Sequence, residues 1–79
     1  MSEFDLAVLR AISHETQPAS WYQLERVMYQ YWPGTLTSVV PPLERLERDG
    51  LIVRAPHEIP NPRFVLSETG RQLLQMKSQ

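Results

Sequence analysis

Cysteine is absent from the 79-residue sequence, and long apolar runs are absent as well. The lack of cysteine excludes a disulfide framework, cysteine-ligated zinc, an iron–sulfur cluster and a cysteine nucleophile. No apolar run approaches the roughly 20 residues that a membrane-spanning helix requires, and the N-terminus is acidic where a signal peptide would be basic. The expected location is therefore the cytoplasm, without a membrane partner.

The sequence also lacks an excess of charge of either sign, since nine acidic and eight basic residues leave a net charge of −1. No global field draws the molecule onto nucleic acid or an anionic membrane. Residues 1–40 hold two basic and four acidic residues, whereas residues 41–79 hold six basic and five acidic ones. The C-terminal half is thus the better candidate for meeting an anion.

Patterns that carry catalysis or bind metals are missing too. Glycine occurs only three times, at isolated positions, so there is no glycine-rich phosphate loop. His14 lies beside Glu15, but consecutive helical residues do not face one another, and two histidines are too few for a metal site. We expect neither an enzyme nor a metal or cofactor site.

Length and composition predict one globular domain over residues 1–79, with 42% hydrophobic and 22% charged residues. Ser2 and Asp5 form the start of a first helix over about residues 3–14, because a capping oxygen is followed three residues later by a carboxylate. This helix is apolar over more than half its circumference. That pattern predicts packing on two sides, one of which a second chain could supply.

Ser20 and Gln23 repeat the capping pattern and predict a second helix over about residues 21–32. Two stripes run along this helix at helical spacing. The inner stripe, predicted to face the core, consists of Trp21, Leu24, Met28 and Tyr31. The outer stripe is a candidate partner surface and consists of Tyr22, Arg26 and Tyr29, since tyrosine and arginine are favoured anchors in interfaces.

A third helix is predicted to begin at Thr37 or Ser38 and to end at Gly50. This start puts Pro41 and Pro42 at or near the first turn, where a helix needs no backbone amide partner. The loss of one backbone hydrogen bond there is the open alternative.

Residues 51–53 are apolar and β-branched, and residues 63–66 alternate as a strand with one buried face would, so the two segments predict the strands of a hairpin. The proline-rich segment between them cannot continue the ladder and predicts a stiff tip. Ser67 then caps a short fourth helix.

The predicted class is mainly α with a small β-hairpin (α+β). The predicted elements follow the order of a winged helix-turn-helix, which is helix, helix, helix, strand, wing, strand, helix. Three segments resemble the signature of the PadR family of bacterial regulators: Gly34-Thr35-Leu36, Val40-Pro41-Pro42-Leu43 and Asp49-Gly50-Leu51. That signature has a Gly-Thr-Leu opening, an aromatic-Pro-Ala-Leu segment and a closing Asp-Gly-Leu. The resemblance spans about residues 20–74, with Thr37-Ser38-Val39 as an insertion and Val40 in place of the aromatic residue.

The resemblance implies a homodimeric regulator that binds double-stranded DNA, with the third helix in the major groove and the hairpin on the backbone. Hydroxyl and guanidinium groups are suitable donors to base edges and phosphates. The candidate DNA-binding residues are Thr35, Thr37, Ser38, Pro41, Arg45, Arg48, Arg54, His57, Asn61 and Arg63.

Each of these residues also has a purely structural interpretation. Arg45 and Arg48 could form a solvated face with neighbouring glutamates, and Thr37 or Ser38 could be no more than a helix cap. Arg54 or Arg63 could pair with Glu58 in an ordinary surface hairpin.

A winged-helix module that binds protein and little or no DNA is the alternative function. The acidic isoelectric point, the few cations of the third helix and the aromatic-rich second helix favour it. A homodimer would use the second apolar side of the first helix together with Leu73, Leu74 and Met76.

Overall fold

Four helices and three strands make up the computed structural model, which describes residues 1–32, 38–55 and 62–77. The elements are α1 (Glu3–Ser13), β1 (Ala19–Ser20), α2 (Trp21–Tyr31), α3 (Val40–Arg48), β2 (Ile52–Arg54), β3 (Arg63–Leu66) and α4 (Glu68–Lys77). A mainly helical α+β class is therefore confirmed. In the described ranges, no helix combines the length and the apolar character that crossing a membrane would require.

Helix α1 is the centre of the fold. The Ser2 side chain accepts a hydrogen bond from the Asp5 backbone N–H at 3.0 Å, as the capping pattern predicts. Helices α2, α3 and α4 and strand β3 all pack against α1, and Val8, Leu9 and Ala11 are fully buried. Elements of the same chain thus cover most of the apolar surface of this helix, and Phe4 and Leu6 stay half-buried.

Helix α2 begins with the predicted capping box between Ser20 and Gln23. Leu24 and Met28 are buried and Tyr31 is half-buried, which agrees with an inner stripe. The prediction that Trp21 faces the core is wrong, because its side chain is 39% exposed. As the first residue of the helix, Trp21 extends past the core and stacks edge-on against Tyr22.

Helix α3 starts at Val40, two residues beyond the later predicted start. The Ser38 side chain accepts a hydrogen bond from the Val40 N–H at 3.2 Å. Pro41 and Pro42 lie in the first turn, and the Leu43 N–H donates to the Val39 carbonyl at 2.9 Å. Neither proline removes a helical hydrogen bond, because first-turn residues have no partner within the helix.

The C-terminal end of α3 is closed by Gly50, whose φ of 76° is left-handed. The Gly50 N–H donates to the Glu47 carbonyl at 3.1 Å, and the Leu51 N–H donates to the Leu46 carbonyl at 2.9 Å. These two bonds form a Schellman motif, and the buried side chains of Leu46 and Leu51 supply its apolar contact.

The sheet has the order β1-β3-β2 and is antiparallel throughout. Strand β3 pairs with β2 through Val65 opposite Val53, and with β1 through Phe64 opposite Ala19. The β2–β3 pair was predicted, whereas the two-residue strand β1 was not. The predicted hairpin tip lies outside the described residues.

Helix α4 is joined tightly to the end of α3. The Ser67 side chain accepts a hydrogen bond from the Gly70 N–H at 3.0 Å, as predicted for a cap, and donates to the Gly50 carbonyl at 2.6 Å. The Ser67 N–H also donates to the Leu51 carbonyl at 3.0 Å. Gly70 is buried here, and a β-carbon at this position would overlap the Leu51 carbonyl oxygen.

Candidate functional site

The candidate site is the outer surface of α3 and the adjoining strands. Pro41, Arg45 and Arg48 are exposed along α3, and Ser38 is exposed just before it. Arg54 and Arg63 are exposed on β2 and β3. Four further predicted residues lie outside the described part of the chain: Thr35, Thr37, His57 and Asn61. The structure therefore places six of the ten candidates.

Arg45 is held by a two-point ion pair with Asp5, forty positions earlier in the sequence. Its Nε donates to Oδ2 at 3.0 Å and its Nη2 donates to Oδ1 at 2.8 Å. The Asp5 side chain is 7% exposed, whereas the Arg45 side chain is 44% exposed. Arg45 is thus paired with a carboxylate of the central helix α1, and not with its neighbouring glutamates on α3 as one interpretation of the sequence predicts.

The Asp5 carboxyl group is ionised in this pair. The hydrogen bond from Arg45 lowers the pKa of Asp5 below its ordinary value of 3.8, against the opposing effect of burial. The same hydrogen bond raises the pKa of Arg45. Both groups therefore keep their charges throughout the neutral range.

Arg54 connects the hairpin to α3. Its Nε donates to Glu47 Oε2 at 2.8 Å and its Nη2 donates to Oε1 at 3.4 Å, and its guanidinium lies over the Phe64 ring at 5.9 Å. Strand β2 and helix α3 are thereby joined into one surface. The structural interpretation of the sequence pairs Arg54 or Arg63 with Glu58, which lies outside the described residues; among the described residues, Arg54 pairs with Glu47.

Arg48 and Arg63 make longer contacts than the 2.8 Å bond of Arg54 within the part of the chain that the structure describes. Arg48 Nε lies 3.7 Å from a carboxylate oxygen of Asp49, and both side chains are largely exposed. Arg63 donates from Nη1 to the Pro18 carbonyl at 3.4 Å, across the β1 side of the sheet. Pairs as exposed as Arg48 and Asp49 are worth about 0–1 kcal/mol, so an anion can displace them.

Ser38 makes a hydrogen bond at the start of α3. Its hydroxyl oxygen accepts the N–H of Val40, the first residue of α3, but the N-cap position itself belongs to Val39, which has no side-chain cap. Ser38 therefore contacts the helix start from the residue before the cap. The residue stays exposed, and its hydroxyl hydrogen can still be donated to a ligand.

A shallow groove of about 150 Å³ lies between α2, α3 and the sheet. Its apolar wall includes Trp21, Val40 and Phe64, and Glu47 and Arg54 border it. The surface therefore combines charged side chains with an apolar strip that could contact a thymine methyl group or an apolar side chain.

The outer stripe of α2 forms a second exposed surface. Tyr22 and Tyr29 are 59% and 60% exposed, and Arg26 is also exposed. On α4, Leu73 and Leu74 are half-buried against the core, whereas Met76 is 72% exposed.

Two residues of the site were missed as functional candidates, Asp5 and Glu47. Asp5 was interpreted only as a helix-start carboxylate, and Glu47 only as part of a charged helical face. Their partners lie on other elements, so helical spacing carried no signal for either pair. In the described ranges, no three His, Cys, Asp or Glu side chains are grouped so that they could hold a metal ion.

Comparison of the chain with the models of known protein families finds no match, and comparison with curated proteins finds none either.

Proposed function

We propose that this chain is a winged helix-turn-helix domain, similar to PadR-type regulators, that binds duplex DNA as a homodimer and regulates transcription. In this arrangement α3 enters the major groove and the β2–β3 hairpin touches the backbone. One observation carries the proposal. The ion pair between Arg54 on β2 and Glu47 on α3 joins the hairpin to the helix, and Arg45 and Arg48 are exposed on the same helix.

The carboxylates on this surface do not prevent DNA binding. Exposed ion pairs with a single long contact are weak, so the closely spaced phosphates of a duplex can compete for Arg48. Release of counterions from the duplex adds to the affinity, and it makes the binding strongly dependent on salt.

The test is a selection from a random duplex pool at roughly 50 mM salt, with the bound fraction measured again at about 200 mM. A regulator of this kind enriches a two-fold symmetric motif, and its binding weakens steeply at the higher salt. Absence of retention above background at the lower salt would refute the proposal.

A matched pair of variants tests the hairpin contact. Arg63→Ala is expected to weaken binding on all sequences alike and to reduce the salt slope by about one unit. Arg71→Ala removes the same charge from α4, where Arg71 pairs with Glu68, and is expected to leave the slope unchanged. Equal slopes for the two variants would remove Arg63 from the interface.

A protein-binding module remains the second candidate, and the exposed outer stripe of α2 favours it. Tyrosine and arginine are enriched at binding hot spots, and Tyr22, Arg26 and Tyr29 are all exposed. For this function, replacing both tyrosines with alanine would abolish capture of a partner protein, and binding would respond little to salt.

A further inference from the structure

The two arginines of α3 differ in how firmly they are held. Among the described residues, Arg48 has one long contact, 3.7 Å from Asp49, and its side chain is 73% exposed. Arg45 makes two short bonds to one buried carboxylate. A guanidinium held at two points keeps its plane and direction, whereas one held by a single weak contact does not.

The anchor of Arg45 is itself fixed. Asp5 lies in the first turn of α1, its backbone N–H is bonded to the Ser2 hydroxyl, and its side chain is almost completely buried. Helix α1 is packed on several sides by the other elements. The carboxylate therefore cannot follow Arg45 if the arginine moves.

The ion pair leaves the other end of the guanidinium available. Asp5 uses the Nε–H and one Nη2–H, so both hydrogens of Nη1 and the second hydrogen of Nη2 remain as donors. In the part of the chain that the structure describes, Arg45 has no other hydrogen-bond partner. The remaining donors form a fork of the kind that pairs with O6 and N7 of guanine.

We infer that Asp5 is a positioning residue for DNA recognition, which holds Arg45 so that its free fork reads one base pair while the loosely held Arg48 meets the backbone. This inference rests on the proposed function. A fixed Arg45 has less conformational freedom to lose when it binds, and immobilising such a side chain otherwise costs about 0.5–1.5 kcal/mol. Loss of the anchor should therefore weaken binding roughly 2- to 12-fold.

The experiment compares Asp5→Asn with Asp49→Asn on the selected DNA site. Both variants raise the net charge by one unit near an arginine of α3, so their long-range electrostatic effects are matched. We expect Asp49→Asn to bind as tightly as the wild type or more tightly. Asp5→Asn should bind more weakly in spite of its added positive charge, because the orientation of Arg45 is lost.

Measurement of the base preference distinguishes a positioning role of Asp5 from a merely structural one. Preference profiles are measured for Asp5→Asn and Arg45→Ala at a temperature well below each unfolding midpoint. Both variants should lose discrimination at the same base pair of each half-site, whereas loss of folded protein would weaken all sequences equally. Arg45→Lys should lose the same discrimination and keep the salt slope, because lysine keeps the charge without the fork.

Several results would overturn the inference. These are equal affinities for Asp5→Asn and Asp49→Asn, a uniform loss without a change in base preference, and unchanged preference in Arg45→Lys. If Asp5→Asn fails to fold, the base-preference profile of Arg45→Lys alone decides whether the inference stands. Absence of DNA binding by the wild type refutes the proposed function and this inference together, whereas wild-type binding with any of the other results refutes only the inference.

Discussion

Replacing Gly70 with alanine tests how closely α4 packs on the turn between α3 and β2. The added β-carbon would overlap the Leu51 carbonyl oxygen and lie 3.1 Å from the Leu51 carbonyl carbon. Both are backbone atoms, so the conflict cannot be relieved by rotating a side chain. Helix α4 must move away from the turn, and the movement strains the hydrogen bonds from Ser67 to Gly50 and Leu51.

The expected change in the free energy of unfolding is the sum of opposing effects. Overpacking typically costs about 1–3 kcal/mol, and each strained hydrogen bond adds about 1 kcal/mol. Alanine has the better helix propensity by up to about 1 kcal/mol, which offsets part of this cost. We expect a net destabilisation of about 2 kcal/mol. For a domain of this size, that lowers the unfolding temperature by roughly 8–16 °C.

Thermal unfolding followed by circular dichroism measures the effect. Thr69→Ala is the matched control, because Thr69 is exposed in the same helical turn and its replacement should change the stability by less than about 0.5 kcal/mol. An unfolding temperature for Gly70→Ala at or above that of the wild type would refute the reasoning, since it would show that helix propensity outweighs the contact with Leu51.

Three further predictions concern the ion pair, the core and a helix cap. Because Arg45 lowers the pKa of Asp5 in the folded state, the ionised carboxylate stabilises the fold above about pH 4. That stability is lost as the pH falls through the folded-state pKa of Asp5. Urea unfolding between pH 6 and 2 should show the decrease in the free energy of unfolding, and the decrease should be smaller for Asp5→Asn. Leu24→Ala truncates a side chain with no solvent exposure and should lower the free energy of unfolding by about 2–5 kcal/mol, whereas a loss below about 1 kcal/mol would contradict its burial. Ser20→Ala removes the capping box with Gln23 and should cost about 1 kcal/mol by urea unfolding, and an unchanged midpoint would count against the cap.

Local signals were sufficient to predict most of the elements. Helices α1, α2 and α4 begin where Ser2, Ser20 and Ser67 cap them, because a cap bonds to amides only two or three residues away. The start of α3 was placed too early, since Thr37 and Ser38 both resemble caps and the prolines tolerate several positions within the first turn.

Long-range contacts account for what the sequence could not predict. Strand β1 has two residues, too few for an alternating pattern, and exists because Ala19 and Ser20 pair with β3 more than forty positions later. The bond between Asp5 and Arg45 likewise joins residues that share no helical face. A charge pattern along one helix predicts neighbours on that helix, and it carries no information about a carboxylate on another one.

The central position of α1 has a consequence for the order of folding. Its apolar sides are covered by elements that include α4, at the opposite end of the described chain. Closing so long a loop must precede the gain from those contacts, and non-local contacts of this kind slow folding. While a chain is being synthesised, α1 emerges before α4 and must wait for it before all of its apolar sides are shielded from water. The domain is therefore expected to reach its native state in one late, cooperative step, and a fragment that ends before Glu68 should expose part of α1 and associate through it.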